Sequence, residues 1–419
     1  MINFLKTFKF YNIKSCSLRF LLSAYFLTSF IIFCNAKTIS AKPKPWVGTW
    51  GAAPQLVEPG NMPPAPGLTN NTLRQVVCVS RGGKKLQLKF SNEFGNESLT
   101  MKAVHIAVSG QGNTVELTTQ KALMFNGRPE VRIAPGETAT SDAVIFELTP
   151  RMRVAVTIFF GTVPERLTGH PGSRTTSYLL EGDQSRAEAD FTKAVRTDHW
   201  YILSGIDVEG SKSAGAVVTF GDSITDGRGS GTNEDNRWPD ILSINLLKNP
   251  STRHIGVINM GIGGNAVLRG GLGQPGLHRF DRDVLSQKGV KWLIILEGVN
   301  DLGPTRDSSA AAKVVEGLIA AYQIMIDKAH ARGIKVYGGT ITPFKNAAYY
   351  RPYRENARNE INAWIRSSGR FDAIIDFDKA VRNPEDPEVM LNKLQDDFLH
   401  PNRLGYQVMG NAIEINLFK

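Results

Sequence analysis

The feature that most constrains this chain is a change of rhythm near residue 210. From Trp46 to about Asp207 apolar residues recur every second position. In "KKLQLKF" Leu86, Leu88 and Phe90 fall on one face and Lys85, Gln87 and Lys89 on the other, and "RVAVTIFF" repeats the pattern with Val154, Val156 and Ile158. Such alternation is the signature of half-buried strands. Turn signals at Arg81-Gly82-Gly83, Phe94-Gly95-Asn96, Ser109-Gly110-Gln111-Gly112 and Asn126-Gly127 punctuate it at short intervals, which predicts an all-β sandwich over residues 46–207. The proline-rich "GNMPPAPG", residues 60–67, reads as an ordered surface loop.

Beyond the polar stretch "EGSKSAG" (209–215) short apolar runs alternate with longer helical patterns. "AVVTF", "IGVINM", "KWLIIL", "IKVYGGT" and "DAIIDF" have the spacing of βα units in a parallel sheet. Between them "SSAAAKVVEGLIAAYQIMIDKAHARG" reads as a long helix opened by Ser308 and Ser309 and closed by Gly333. Residues 214–419 are therefore expected to form a doubly wound three-layer α/β/α domain, whose ligands sit at the carboxyl ends of the strands.

The first 36 residues stand apart from both halves. Lys6, Lys9, Lys14 and Arg19 come with no acid among them, an apolar stretch runs from Phe20 to Phe33, and Cys34-Asn35-Ala36 offers small residues at a cleavage site. This reads as a secretion signal, with a secreted or periplasmic mature protein. A retained anchor is the competing reading, but the stretch is shorter than the ~20 residues a spanning helix needs, and no stable membrane insertion is expected after cleavage. A lipoprotein cleavage before Cys34 would place bulky Phe33 where a small residue belongs. Removing the signal takes four positive charges from a formal net charge of +10. The remaining excess is spread out with no Lys/Arg run, which argues against a nucleic-acid partner. Cys16 and Cys34 leave with the signal, so Cys78 has no internal disulfide partner and the core must hold the fold.

The residues just after each predicted strand carry chemistry: Ser223, Gly264, Asn300, and then Asp397 and His400 before the closing helix. A serine hydroxyl needs a base to become nucleophilic, the base needs an acid to fix its tautomer, and a tetrahedral intermediate needs preorganised donors. His400 is the expected base. Asp397, three residues earlier, can bring its carboxylate back to the imidazole Nδ1, whereas Asp396 should point away. Asp222 is placed to brace the turn. The amides of Ser223 and Gly264 and the side chain of Asn300 can converge on one oxyanion. No cofactor and no metal are expected, since the histidines are scattered and "HExxH" is absent.

These residues carry a resemblance. "GDSIT" (221–225), "NMGIGGN" (259–265), "GVND" (298–301) and "DFLHPN" (397–402) resemble, in order, the four signature blocks of the SGNH, or GDSL-type, hydrolases. The resemblance implies a flavodoxin-like catalytic domain, with Ser223 as nucleophile, Asp397 and His400 completing the triad, and Gly264 and Asn300 in the oxyanion hole. "WVGTWGAAPQ", "NNTLRQVV", "LKFSNEFGNESL", "HRFDRDVL" and "VNDLG" are similar to a secreted branch with a β-sandwich before the catalytic domain. That branch includes lipases and acetylesterases of plant cell-wall polysaccharides. The polar loops "GGNAVLRGGLGQPGLHRFDRD" and "TPFKNAAYYRPYRENA" favour a polar substrate, an acylated polysaccharide or another small ester. Asn265, Phe344 and Tyr350 are the candidate substrate contacts, with Tyr349 and Tyr353 as further stacking groups and Arg351 and Arg354 as hydroxyl donors, unless these residues pack the following helix. Trp46 and Trp50 are expected to be packed. A lipid esterase and an inert glycan-binding protein are the alternatives, the latter disfavoured by an intact set of five residues.

Overall fold

The computed structural model describes residues 44–186 and 190–419, so the expected signal at 1–36 lies outside the described residues. Antiparallel pairing occupies the N-terminal half. One sheet joins Trp46–Gly51, Leu203–Glu209 and Gly83–Ser91, with Thr138–Thr140 and Val144–Leu148 along its edge. A second is centred on Thr72–Cys78, Arg153–Phe160 and Leu99–Val108. Leu86, Leu88 and Phe90 of the first sheet meet Val154, Val156 and Ile158 of the second in one buried core. A third, small sheet joins Gln55–Leu56, Thr168–His170 and Trp200–Tyr201. Asn126 and Gly127 both have positive φ (52° and 76°), the backbone a two-residue hairpin demands.

The strand Arg153–Phe160 departs from the simple alternation, because its other face is covered too. Ala155 packs with Val76, Tyr178 and Phe191, and Thr157 accepts a hydrogen bond from Arg74, whose guanidinium lies 3.6 Å over the Phe191 ring.

The five apolar runs of the second half form parallel strands β1 (Gly215–Gly221), β2 (Ile255–Gly261), β3 (Val290–Leu296), β4 (Lys335–Gly339) and β5 (Ala373–Ile375). Their spatial order is 2-1-3-4-5, as expected of a flavodoxin-like sheet. Both faces are buried, which is why these strands read as unbroken apolar runs. Helices α1 (Ser223–Asp226), α2 (Trp238–Lys248), α3 (Ser308–His330), α4 (Pro352–Ser367) and α5 (Arg403–Asn411) follow in chain order. Leu318 and Met325 of α3 and Ile361 of α4 pack with Val218 and Leu293 on one face. Trp238 and Leu242 of α2 and Tyr406 of α5 pack with Val217 and Ile294 on the other. Helix α3 begins at Ser308, as the sequence suggested, but the residue that caps it is Asp307, whose carboxylate accepts from the Ala310 amide. It is long and apolar enough to cross a membrane, yet its apolar stripe is committed to this core.

Antiparallel pairing ends at Glu209 and the parallel sheet begins at Gly215, and the intervening turn is tied down by a bond from the Gly210 amide to Pro45 O. Residues 44–419 form one compact unit. The first strand lies directly against β2, at a distance only glycine permits: a Cβ on Gly256 would sit 2.1 Å from Gly48 O, and one on Gly48 2.3 Å from Ile258 Cδ1. Val47 and Ala53 thereby join the apolar layer of Ile258 and Met260.

Candidate active site

Strand β1 delivers Ser223 at its carboxyl end. Gly221 lets the chain turn there, since a Cβ would meet Leu296 O at 2.3 Å. Asp222 caps α1 through a 2.9 Å bond from the Ile224 amide, the bracing role its position suggests. Burial pushes its carboxyl up to about 7, although the Ile224 bond opposes this.

Ser223 Oγ stands 2.9 Å from His400 Nε2, and His400 Nδ1 2.7 Å from Asp397 Oδ2. Asp397 is brought back onto the ring by Phe398, whose φ of 61° places it in the left-handed region, and by bonds from the Leu399 and His400 amides to Asp397 Oδ1 at 3.1 and 2.7 Å. Asp396 turns away and accepts from Asn402 Nδ2 at 3.3 Å. Burial lowers the His400 pKa below its ordinary value; Asp397 raises it, while Arg228 and Arg174 add to the lowering. The ring is therefore neutral over a wider pH range than a free imidazole, as a base must be. Burial raises the Asp397 carboxyl, but the bonds from the His400 amide and ring outweigh it and hold the group below the usual carboxylate range.

Gly264 (φ 71°) and Asn300 line the same cleft as Ser223 and His400, which has a volume of about 370 Å³. Asn300 Nδ2 donates to Asn265 O at 2.8 Å, leaving its second N–H free to face a ligand. Asn300 Oδ1 accepts from the Tyr349 hydroxyl at 3.1 Å. The loop bearing Gly264 is pinned by Asp301, which takes the amides of Val267 and Leu268 at 2.9 Å each.

The three expected substrate contacts do not reach this cleft. Asn265 is fully buried: its Nδ2 is consumed by Leu272 O and Gln274 O, and its Oδ1 by Arg279 Nε, so it shapes the loop and offers nothing to a ligand. Phe344 is wholly buried in the core beside α3 and α4. Tyr350 points its hydroxyl at Glu388 Oε2, 2.8 Å away. The neighbouring Tyr349 lines the cleft instead. Tyr353 and Arg354 bond Thr305 O and support the start of α4, and Arg351 bonds Tyr350 O. Trp50 is buried edge-on to Trp200, as expected of a packed residue.

One wall of the cleft was not anticipated. Gln55, Glu58, Asn61, Arg174 and His199, all from the antiparallel half, face Ser223 across it. Asp226, three residues after the serine, is held by His170 from the same half at 2.9 Å. A pairing 56 residues apart in sequence leaves no local signal.

Residues 219–408 match the model of the GDSL-like lipase/acylhydrolase family. The chain thus carries a GDSL-type, or SGNH, acylhydrolase domain, preceded by a region of antiparallel sheets, and it is a carboxylic ester hydrolase. Among solved structures it is similar to an acetyl xylan esterase (23% identity, covering 47% of this chain and 96% of that one, TM-score 0.35). Others are an acetyl xylan esterase from Geobacillus stearothermophilus (20%, 48% and 94%, 0.36) and a lipolytic G-D-S-L protein from Veillonella parvula (19%, 48% and 96%, 0.35). No curated protein matches the chain.

Proposed function

We propose that this protein is a secreted or periplasmic serine esterase that removes short acyl groups, acetyl foremost, from the hydroxyls of a polysaccharide. The observation that carries the reading is the hydrogen-bonded series Ser223, His400, Asp397 opening onto a cleft walled mainly by polar side chains. His400 Nε2 takes the Ser223 proton as Oγ attacks the ester carbonyl. The oxyanion so formed is received by the amides of Ser223 and Gly264 and by Asn300 Nδ2. The His400 imidazolium, stabilised by Asp397, returns the proton to the leaving alcohol oxygen as the C–O bond breaks. Water, deprotonated by His400, then attacks the acyl-serine, releasing the acid and restoring the Ser223 hydroxyl.

A cleft with Gln55, Glu58, Asn61, Arg174 and Arg228 on its walls offers hydrogen-bond partners to a hydroxylated alcohol. A lipid ester is the second reading, favoured by Leu272 and Leu399 in the same lining. The test is a panel of p-nitrophenyl esters of rising chain length beside acetylated xylan, acetylated pectin and a phospholipid. Deacetylation of the polysaccharides with a steep fall beyond acetyl is expected; rates climbing towards octanoyl, or cleavage of the phospholipid alone, would move the assignment to a lipid esterase.

A further inference from the structure

The turn that carries Ser223 also carries a carboxylate with one oxygen unspoken for. His170 is buried, with Nδ1 3.0 Å from Ala53 O and Nε2 2.9 Å from Asp226 Oδ1. A backbone carbonyl only accepts, so the Nδ1–H donates to Ala53 O while Nε2 faces Asp226 Oδ1. That occupies one side of the Asp226 carboxyl. Its Oδ2 is buried, has no hydrogen-bond partner among the described residues, and lies 3.7 Å from Arg174 Nη2. Buried acceptors are almost always satisfied, so an orphan inside a ligand cleft calls for an occupant.

Glycine lets the backbone approach Oδ2 closely. A Cβ on Gly172 would stand 1.9 Å from it and one on Gly263 3.4 Å. Asp226, Arg174, Gly172 and Gly263 all line the cleft that holds Ser223. Arg174 Nε is likewise buried without a partner. Burial raises the Asp226 carboxyl, but His170, Arg174 and Arg237 outweigh it and keep the pKa below its ordinary value, so the group is an acceptor at neutral pH. An acceptor and a guanidinium side by side complement a hydroxyl, which gives its proton to the first and takes one from the second. An aliphatic chain offers neither.

We propose that Asp226 Oδ2 and the Arg174 guanidinium form a hydroxyl-binding subsite for the alcohol half of the ester, with His170 as the positioning residue that orients the carboxylate. The subsite is built jointly by the catalytic turn and the antiparallel half. It deepens the polysaccharide reading and rests on it.

The test compares a monoacetylated methyl xyloside that keeps its free hydroxyls with the same monoacetate O-methylated at those positions, using p-nitrophenyl acetate as a measure of acyl chemistry. The two xylosides share acyl group and ring, so damage to the serine turn cancels in the ratio of their kcat/KM values. Wild type should favour the free-hydroxyl substrate about 10- to 100-fold, the usual weight of a hydrogen bond to a charged group. Asp226→Asn should bring the ratio close to unity. Arg174→Gln, at a side chain 31% exposed and so tolerant of change, should lower it as well and serves if the first variant fails to fold. A wild-type ratio near unity with brisk turnover of both xylosides, or a high ratio that neither variant reduces, overturns the subsite and leaves the deacetylase intact. Turnover of p-nitrophenyl acetate with neither xyloside hydrolysed overturns the polysaccharide reading and the subsite with it.

Discussion

The Tyr349 hydroxyl donates to Asn300 Oδ1 at 3.1 Å and, with the bond from Nδ2 to Asn265 O, fixes which end of the Asn300 amide faces the reacting carbonyl. Without it only the bond from Nδ2 to Asn265 O would resist rotation. Tyr349→Phe should therefore lower kcat about 5-fold, the value of one ordinary hydrogen bond, with KM little changed. A rise confined to KM would show that Tyr349 touches substrate directly.

Removing the oxyanion donor itself should cost far more. Asn300→Ala is expected to reduce kcat by ~10²–10³, as for other single oxyanion donors. Ser223→Ala should abolish turnover with an unchanged melting temperature, since it deletes a hydroxyl and no packing; near-normal hydrolysis in that variant would end the nucleophile assignment.

The adjacent acids make an internal control. Asp397 holds the His400 ring at 2.7 Å, whereas Asp396 bonds Asn402. Asp397→Asn should cut kcat by roughly 10⁴ by upsetting the imidazole tautomer, and Asp396→Asn should leave it near wild type. Equal effects in steady-state kinetics would point to a general charge effect instead.

Only neutral His400 can accept the serine proton, so kcat/KM should rise with pH through the pKa of the free enzyme's imidazole. Burial with Arg228 and Arg174 lowers that pKa against the pull of Asp397, which places the midpoint below the ordinary value of about 6.5. Arg228→Gln removes a cation that disfavours imidazolium, so the midpoint should move to higher pH whatever happens to the rate itself. A midpoint that stays or falls in the measured pH profile would count against this electrostatic account.

Gly256→Ala tests the junction between the halves. The new Cβ would overlap Gly48 O, a backbone atom with no side-chain freedom to escape. A loss of roughly 1–3 kcal/mol is expected from overpacking, read as a lower denaturation midpoint with kcat of the folded fraction retained.

Much of this architecture is legible in local pattern. A strand buried on both faces announces itself as an apolar run, and Ser223, Gly264 and Asn300 sit where such runs end, while His400 stands just before the closing helix. Three kinds of information lie beyond such patterns. Consecutive side chains diverge, so choosing Tyr349 over Tyr350 depends on the path of the loop towards Glu388. A polar residue in a catalytic loop can be spent on the loop itself, as the Asn265 amide is. Partners distant in the chain, such as His170 and Asp226, meet only because two separately patterned halves fold against each other. The start of α3 illustrates a smaller version: Asp307 outcompetes two serines because its carboxylate reaches the Ala310 amide from outside the helix.

The glycine-lined contact between Gly48 and Gly256 has a bearing on the life of the whole molecule. Val47 and Ala53 belong to the same apolar interior as Ile258 and Met260, so the edge strand of the catalytic sheet is covered by a strand from the other half. Each half has a core of its own, but one face of the catalytic sheet is completed by Val47 and Ala53 from the other half. The shared layer should couple the unfolding of the two halves, so that a lesion deep in the antiparallel half, far from Ser223, is felt as a smaller population of working enzyme and not as a slower one.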